Sequence, residues 1–391
     1  MKYLFLSIGL VCLLVSCIDE FIPRGIEEMR DILVVDGMIQ NGESVFRLSY
    51  SVGITDTLDG SKAINNAEVY VESNDGMRTP ALFTGNGTYI AQTPALDSEK
   101  EYRFSAIING ELCESDFLSP VISAEINSIF PVKKGSNESV EICVATYDLD
   151  NSSKYYRWTF RETWEVKAEL YAHARYLEDE NGNVIDRSQL IEHSLFTSEN
   201  TYYCWGRDSS KTFHLASTEK LSENRITQQK LVTIPCDHDK LSILYHIKVE
   251  QMQLREAAYK YFADIRELVD RTGDVFDPIL TIGVRGNINY PGKPDRMVIG
   301  YVEVATVTSM DRYIWERDGF YEPQPHMCAS YTVPVGGTFE TYMTWNRDFL
   351  GYQRAYYNEE PLTSSDKRCV DCRLKENASK LKPPEWPTDH L

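Results

Sequence analysis

The residues best placed to do chemistry are cysteines. Cys17 closes the run Leu14-Val15-Ser16-Cys17, after Lys2 and an apolar stretch from Tyr3 to Val15. That stretch is too short to span a bilayer comfortably and right for the h-region of an export signal. A small residue followed by cysteine at its end is the pattern of a bacterial lipoprotein signal. In that pattern residues 1–16 are removed, the sulfur of Cys17 is lipidated and the freed amine is acylated. Several acyl chains, at about 0.8 kcal/mol per buried methylene, would then hold the chain on a lipid bilayer without a spanning helix. Cys369-Val370-Asp371-Cys372 has redox spacing, but that chemistry wants the first cysteine at a helix N-terminus in a thioredoxin-like setting, which the surrounding sequence lacks. Zinc would need two more ligands, and neither a second CxxC nor paired histidines exist. The pair therefore reads as a structural disulfide, local or to Cys328. Cys204 and Cys236 are candidates to pair with each other. Connectivity does not follow from spacing, and with Cys113 and Cys143 the seven cysteines left after the signal and lipid site are odd in number.

Other chemistry is sparse. Asp148-Leu149-Asp150-Asn151-Ser152 offers oxygen ligands at alternate positions, but the glycine and the distant bidentate glutamate of a calcium loop are missing, so a polar loop between strands is expected rather than a metal site. Asp179-Glu180-Asn181-Gly182-Asn183 reads as a hairpin turn. No Gly-x-Ser-x-Gly elbow, His-Glu-x-x-His helix or phosphate loop occurs, and the seven histidines are scattered. With 59 acidic residues, chance carboxylate pairs are inevitable and indicate no glycosidase. The expectation is a protein that is not an enzyme and needs no cofactor. Its net charge of −19 argues against nucleic acid and against adsorption on anionic lipid. What remains is contact chemistry. Tyr202, Tyr203 and Trp205, and separately Tyr313, Trp315, Phe320 and Tyr321, are compact aromatic groups able to stack on a glycan or anchor a peptide or protein partner.

The elements that must position these groups are mostly strands. Short β-rich segments run from Ile32 to Ile108, separated by Asn41-Gly42, Asn74-Asp75-Gly76, Gly85-Asn86-Gly87 and Asn109-Gly110, which tolerate the positive φ of tight turns. Ala67 to Val71, Gly87 to Tyr89 and Glu101 to Phe104 resemble transthyretin-like or carboxypeptidase-regulatory-like modules, an Ig/transthyretin-like sandwich in fold. A second, fibronectin-like β-domain begins near Ile126. Within it, Leu254, Ala257, Ala258, Tyr261, Phe262, Ile265, Leu268 and Val269 share one face of a helix over 254–271, closed by Gly273 and Pro278. Strand is expected again over 297–308, an aromatic loop over 313–321 and a strand pair over 331–345. The expected fold is mainly β, two β-sandwich domains with one amphipathic helix in the second. The expected division is signal 1–16, anchor and tether 17–30, first sandwich 31–125, second β-rich domain 126–357 and a CxxC tail 358–391.

Leu33-Val34-Val35-Asp36-Gly37, Tyr203-Cys204-Trp205, the Tyr259–Phe262 helix core, Phe276-Asp277-Pro278, Gly286-Asn287-Ile288, Gly300-Tyr301, Cys369-Val370-Asp371-Cys372-Arg373 and Trp386 together resemble the lipoprotein family grouped as domain of unknown function 4249. Asp19 and Glu20 behind Cys17 resemble the surface-export signal of lipoproteins in bacteria with SusC/SusD-type nutrient uptake. The resemblance implies an outer-membrane accessory that faces the cell surface and associates with a TonB-dependent receptor. A fimbrial or adhesin-type lipoprotein and a surface hydrolase are the alternatives.

Overall fold

A computed structural model describes residues 32–388 except 52–61, 151–152, 172–173, 179–183, 193–200, 213, 273–285, 324–327, 329–330, 333–352, 355–362, 365–366 and 385. Cys12, Cys17, the expected export signal and tether, the expected Asp179–Asn183 turn, Gly273 and Phe276-Asp277-Pro278 lie outside the described residues. So does most of the strand pair expected over 331–345.

The chain divides into two compact units, the first comprising Met1–Ser119 with Lys260–Val304 and the second Pro120–Tyr259 with Ala305–Leu391. The first unit holds β1 (Leu33–Ile39), β2 (Gly42–Tyr50), β3 (Lys62–Ala63), β4 (Glu68–Ser73), β5 (Arg78–Gly85), β6 (Thr88–Thr93), β7 (Tyr102–Ile108) and β8 (Glu111–Ser115). Alternation along them turns Phe46, Leu48, Val69, Val71, Phe104 and Ala106 into one core and leaves their neighbours outward. Two hairpins close on the two-residue turns Asn86-Gly87 and Asn109-Gly110, in which both residues have positive φ. This left-handed pair matches strand twist, which is why Asn-Gly is so legible in a sequence.

The sheet is not a sandwich of two facing layers. It is one nearly closed, barrel-like sheet of eleven strands, running from Ile288–Asn289 through β8, β7, β4, β5, β6, β2 and β1 to Val298–Ile299. Its two end strands approach each other. Both come from residues 260–304, which the sequence reading assigned to the second domain. The difference has a physical reason. Val298–Ile299 and Glu303–Val304 join β1 in parallel, two residues at a time, and parallel pairing across so long a separation leaves no local pattern.

The helix α1 (Glu256–Thr272) starts two residues later than expected, because Leu254 ends the preceding strand. Of its predicted face, Ala258, Tyr261, Phe262 and Ile265 are buried, whereas Ala257 is exposed. Tyr261 and Phe262 pack on Tyr301, and burial pushes the Tyr261 phenol well above its usual range.

The second unit contains β9 (Ile126–Val132), β10 (Val140–Tyr147), β11 (Tyr155–Lys167), β12 (Ala174–Glu178), β13 (Val184–Glu192), β14 (Tyr203–Ser209), β15 (His214–Ser217), β16 (Arg225–Ile234) and β17 (Leu244–Leu254). One sheet is β16-β10-β9; a second runs from Thr308–Trp315 through β17, β11 and β14 to Ala378–Ser379, with β15 also on β11. A hairpin of β12 and β13 flanks the turn expected at 179–183. The two larger sheets share one core, in which Val140, Ile142 and Val144 of β10 meet Tyr156, Trp158, Trp164, Tyr245 and Ile247. Fully burying each such side chain is worth about 1.5–3 kcal/mol. Gly206 is required here for space: a Cβ would lie 2.1 Å from the Trp164 ring, its register partner on β11. Tyr313 and Trp315 belong to the strand Thr308–Trp315, not to the aromatic loop expected there. That segment carries polar and charged residues on its exposed positions, which disguised its alternation.

Candidate ligand-contact face

The register of the second unit's larger sheet sorts its residues into two faces. Cys204 and Val166, then Trp164, Tyr245 and Ile314, point into the core. Opposite them on the outer face, Ser379, Trp205, Glu165, Leu244 and Trp315 stand in one cross-strand row. Two residues along lies the row Arg207, Thr163, His246, Tyr313, and beyond it Ser209, Arg161, Lys248, Asp311. The two aromatic groups that the sequence kept apart thus converge on one surface, through Trp205 and Tyr203 from β14 and through Tyr313 and Trp315 from the far edge strand.

The C-terminal segment crosses this face. Ala378–Ser379 pairs with β14, the Arg207 guanidinium donates to the Leu381 carbonyl and the Lys380 ammonium donates to the Tyr203 carbonyl at 2.8 Å. Trp386 then packs with Trp205 and Leu244, flanked by Tyr203, Ile243 and Trp315. Its indole N–H donates to Glu165 Oε2 at 3.0 Å, and the Thr388 hydroxyl donates to the same oxygen at 2.7 Å. Glu165 is fully buried beneath them. Beside this slot the His246 ring lies 4.4 Å from that of Tyr313, its Nε2 is 2.8 Å from Asp311 Oδ1, and Trp386 stands at a steep angle to both rings. Tyr313 is 39 % exposed. The result is a partly exposed aromatic ridge of Tyr313, His246 and Trp315, edged by cations and carboxylates of the adjoining rows. Such a ridge can stack on an apolar ligand face while neighbouring polar groups hydrogen-bond its rim.

Not every predicted contact residue reaches it. Tyr202 packs against the core and meets Tyr203 edge-on at 4.8 Å, and Phe320 and Tyr321 also pack against the core. Burial pushes the Tyr321 phenol up to about 12. Glu165, His246, Asp311 and Lys380 were missed by sequence reasoning, and only strand register could have found the first three. Desolvation of the half-buried Lys380 ammonium brings its pKa down to about 8.

The cysteines resolve the tail's attachment. Cys204 bonds Cys372 and Cys328 bonds Cys369, so the CxxC cysteines do not bond each other and Cys204 does not pair with Cys236. Cys236 is a buried free thiol, as are Cys113 and Cys143. Backbone contacts explain the choice: Leu170 N–H donates to the Cys369 carbonyl and Cys372 N–H to the Thr201 carbonyl, which sets residues 369–372 beside β14. The Asp148 loop is equally explicit. Its carboxylate is buried and accepts from Asn224 Nδ2 at 3.0 Å, Gln253 Nε2 at 2.7 Å and the Asp150 N–H, so its oxygens serve the fold. Among the described residues no group of three or more histidine, cysteine or acidic side chains is arranged to hold a metal ion.

A family model described as Domain of unknown function (DUF4249) matches residues 18–311. The chain belongs to this family. The match takes in β14, β11 and β17 of the DUF4249 chain, with Trp205, Glu165 and His246, and ends before Tyr313. No curated protein matches. A solved structure titled "Complete structure of manganese lipoxygenase of Gaeumannomyces graminis and partial structure of zonadhesin of Komagataella pastoris" aligns at 9% identity over 58% of this chain and 90% of its own. Its TM-score is 0.14, too low to bear on the fold.

Proposed function

We propose that this protein is a lipid-anchored outer-membrane protein, exposed at the cell surface, that acts as a non-catalytic accessory to TonB-dependent nutrient uptake by holding ligand or docking on the receptor. On this reading its two units are ligand-presenting β modules, the first built on one nearly closed sheet and the second on packed sheets. The observation that carries the proposal is the convergence of Tyr313, Trp315 and His246 on one outward sheet face, where an accessory needs contact chemistry and a reaction does not. The lipobox ending at Cys17 and the acidic Asp19-Glu20 behind it support the location. A mild-detergent pull-down of the tagged protein from outer membranes tests the partner: recovery of a TonB-dependent receptor supports docking, and a ladder of self-polymers would favour a fimbrial subunit. Cys17→Ala tests the anchor by releasing the protein from membranes and abolishing fatty-acid labelling.

A further inference from the structure

One end of the first unit's sheet holds a cavity of about 150 Å³. Ser73 and Thr93, the last residues of β4 and β6, line it with Tyr102, the first residue of β7, and with the register partners Val71 and Thr79 of β4 and β5. The loop 94–100 forms another wall. A cavity of that volume accommodates one six-membered ring, and the mouth of a closed sheet is a usual place for a small ligand.

The hydrogen bonds already made there decide what the cavity has left to offer. Ser73 and Thr93 are each 5 % exposed. The Ser73 hydroxyl donates to Asp75 Oδ1. Ser44 gives its proton to the Gln40 carbonyl at 3.0 Å, so in the 2.7 Å bond between Ser44 and Thr93 the threonine is the donor. Both lining oxygens are thereby left as acceptors. Tyr102 is the opposite case, since its oxygen accepts from the Asp97 N–H at 2.9 Å and its proton remains to be donated. Asp97 Oδ1 accepts from the Glu99 N–H, whereas its other oxygen and the Thr79 hydroxyl meet no partner among the described residues. Lys100 lies 2.7 Å from Asp75 Oδ2. One carboxylate and one ammonium thus line the cavity, and a ligand of either sign would meet a like charge. The rest of the wall is apolar: Val71, Met77, Pro94 and Ala95.

We infer that this cavity binds a neutral monosaccharide. Each hydroxyl of a sugar both donates and accepts, which matches acceptors at Ser73, Thr93 and Asp97 and donors at Tyr102 and Lys100, while the C–H face of the ring suits the apolar wall. A purely apolar ring would leave those buried polar groups unmade, at a desolvation cost. The inference concerns the first unit alone and does not depend on the outer-membrane reading.

The test uses the full-length protein with glucose, galactose and mannose as probes, binding being detected by saturation-transfer NMR and titrated by calorimetry. At least one of the three should bind, at least tenfold more tightly than glucuronate or glucosamine. Asp97→Asn, which keeps an acceptor for the Glu99 N–H, should weaken binding several-fold. Thr79→Phe, which puts a ring into the cavity, should abolish it, and Thr79→Val, which removes only the hydroxyl and guards against loss of fold, should weaken it several-fold. Tyr313→Ala, Trp315→Ala in the second unit should leave it unchanged. Binding of none of the three sugars, tighter binding of a charged sugar, or full binding by folded Thr79→Phe and Thr79→Val proteins would overturn the inference. Loss of binding in the Tyr313→Ala, Trp315→Ala variant alone would also overturn it, by moving the sugar to the aromatic ridge.

Discussion

Glu162 and Lys240 form an ion pair of 2.9 Å on the core side of the same sheet, with both side chains largely buried, and the Tyr245 hydroxyl donates to the other oxygen of Glu162 at 2.8 Å. Lys240 also sits over the Trp164 ring. Two strands, β11 and β17, and the turn at Asp239–Leu241 are therefore tied together through one carboxylate. Removing it strands a buried ammonium, so Glu162→Ala should cost about 3–5 kcal/mol. Arg161→Ala, which breaks the exposed pair with Glu250 on the outer face, should cost less than about 1 kcal/mol. Denaturant unfolding of both variants checks the contrast.

Gly206 should tolerate no side chain. The Cβ of Gly206→Ala would meet three atoms of the Trp164 indole, and that ring is locked in the core. Overpacking of this kind costs about 1–3 kcal/mol. A thermal melt that matches the wild type would show that Trp164 has room to move.

The disulfides predict a peptide map. Proteolysis without reduction should release one linked pair containing Cys204 and Cys372 and another containing Cys328 and Cys369, with Cys113, Cys143 and Cys236 open to alkylation only after unfolding. A linked Cys369–Cys372 peptide would contradict the attachment of the tail. Breaking the Cys204–Cys372 bond by Cys372→Ser should cost about 2–5 kcal/mol.

Lys380 gives a pH signature. Its ammonium is desolvated in the folded state, which lowers its pKa from 10.5 to about 8. Between those values the unfolded chain holds the proton that the folded chain has lost, so this residue makes stability rise with pH through that window. Below about pH 8 both states are protonated and the burial penalty is present in full. An NMR titration of the Lys380 side chain should show a midpoint near 8; a midpoint near 10.5 would mean that the ammonium is solvated.

The parts of this molecule that were legible in the sequence are those set by local pattern. The buried face of α1 follows from its three-and-four spacing, and the Asn86-Gly87 and Asn109-Gly110 turns from the positive φ they permit. What was not legible is set by distant register. Nothing near Val298 announces a parallel partnership with β1, and nothing near Glu165 announces that its donors come from Trp386 and Thr388, more than two hundred residues away. The aromatic groups were visible as composition; only the ladder through β11 and β17 places Trp205 and Tyr313 on the same face while Tyr202 and Tyr321 turn to the core.

The central claim is that the outer face carrying Tyr313 and Trp315 makes the contact on which this protein's role depends. The most direct measurement compares outer-membrane pull-downs of the wild type and of a Tyr313→Ala, Trp315→Ala variant shown by circular dichroism to be folded and by membrane fractionation to be as membrane-bound as the wild type. The account predicts that the wild type recovers a TonB-dependent receptor or its bound ligand and that the variant recovers at least tenfold less. Equal recovery by the two proteins would contradict it.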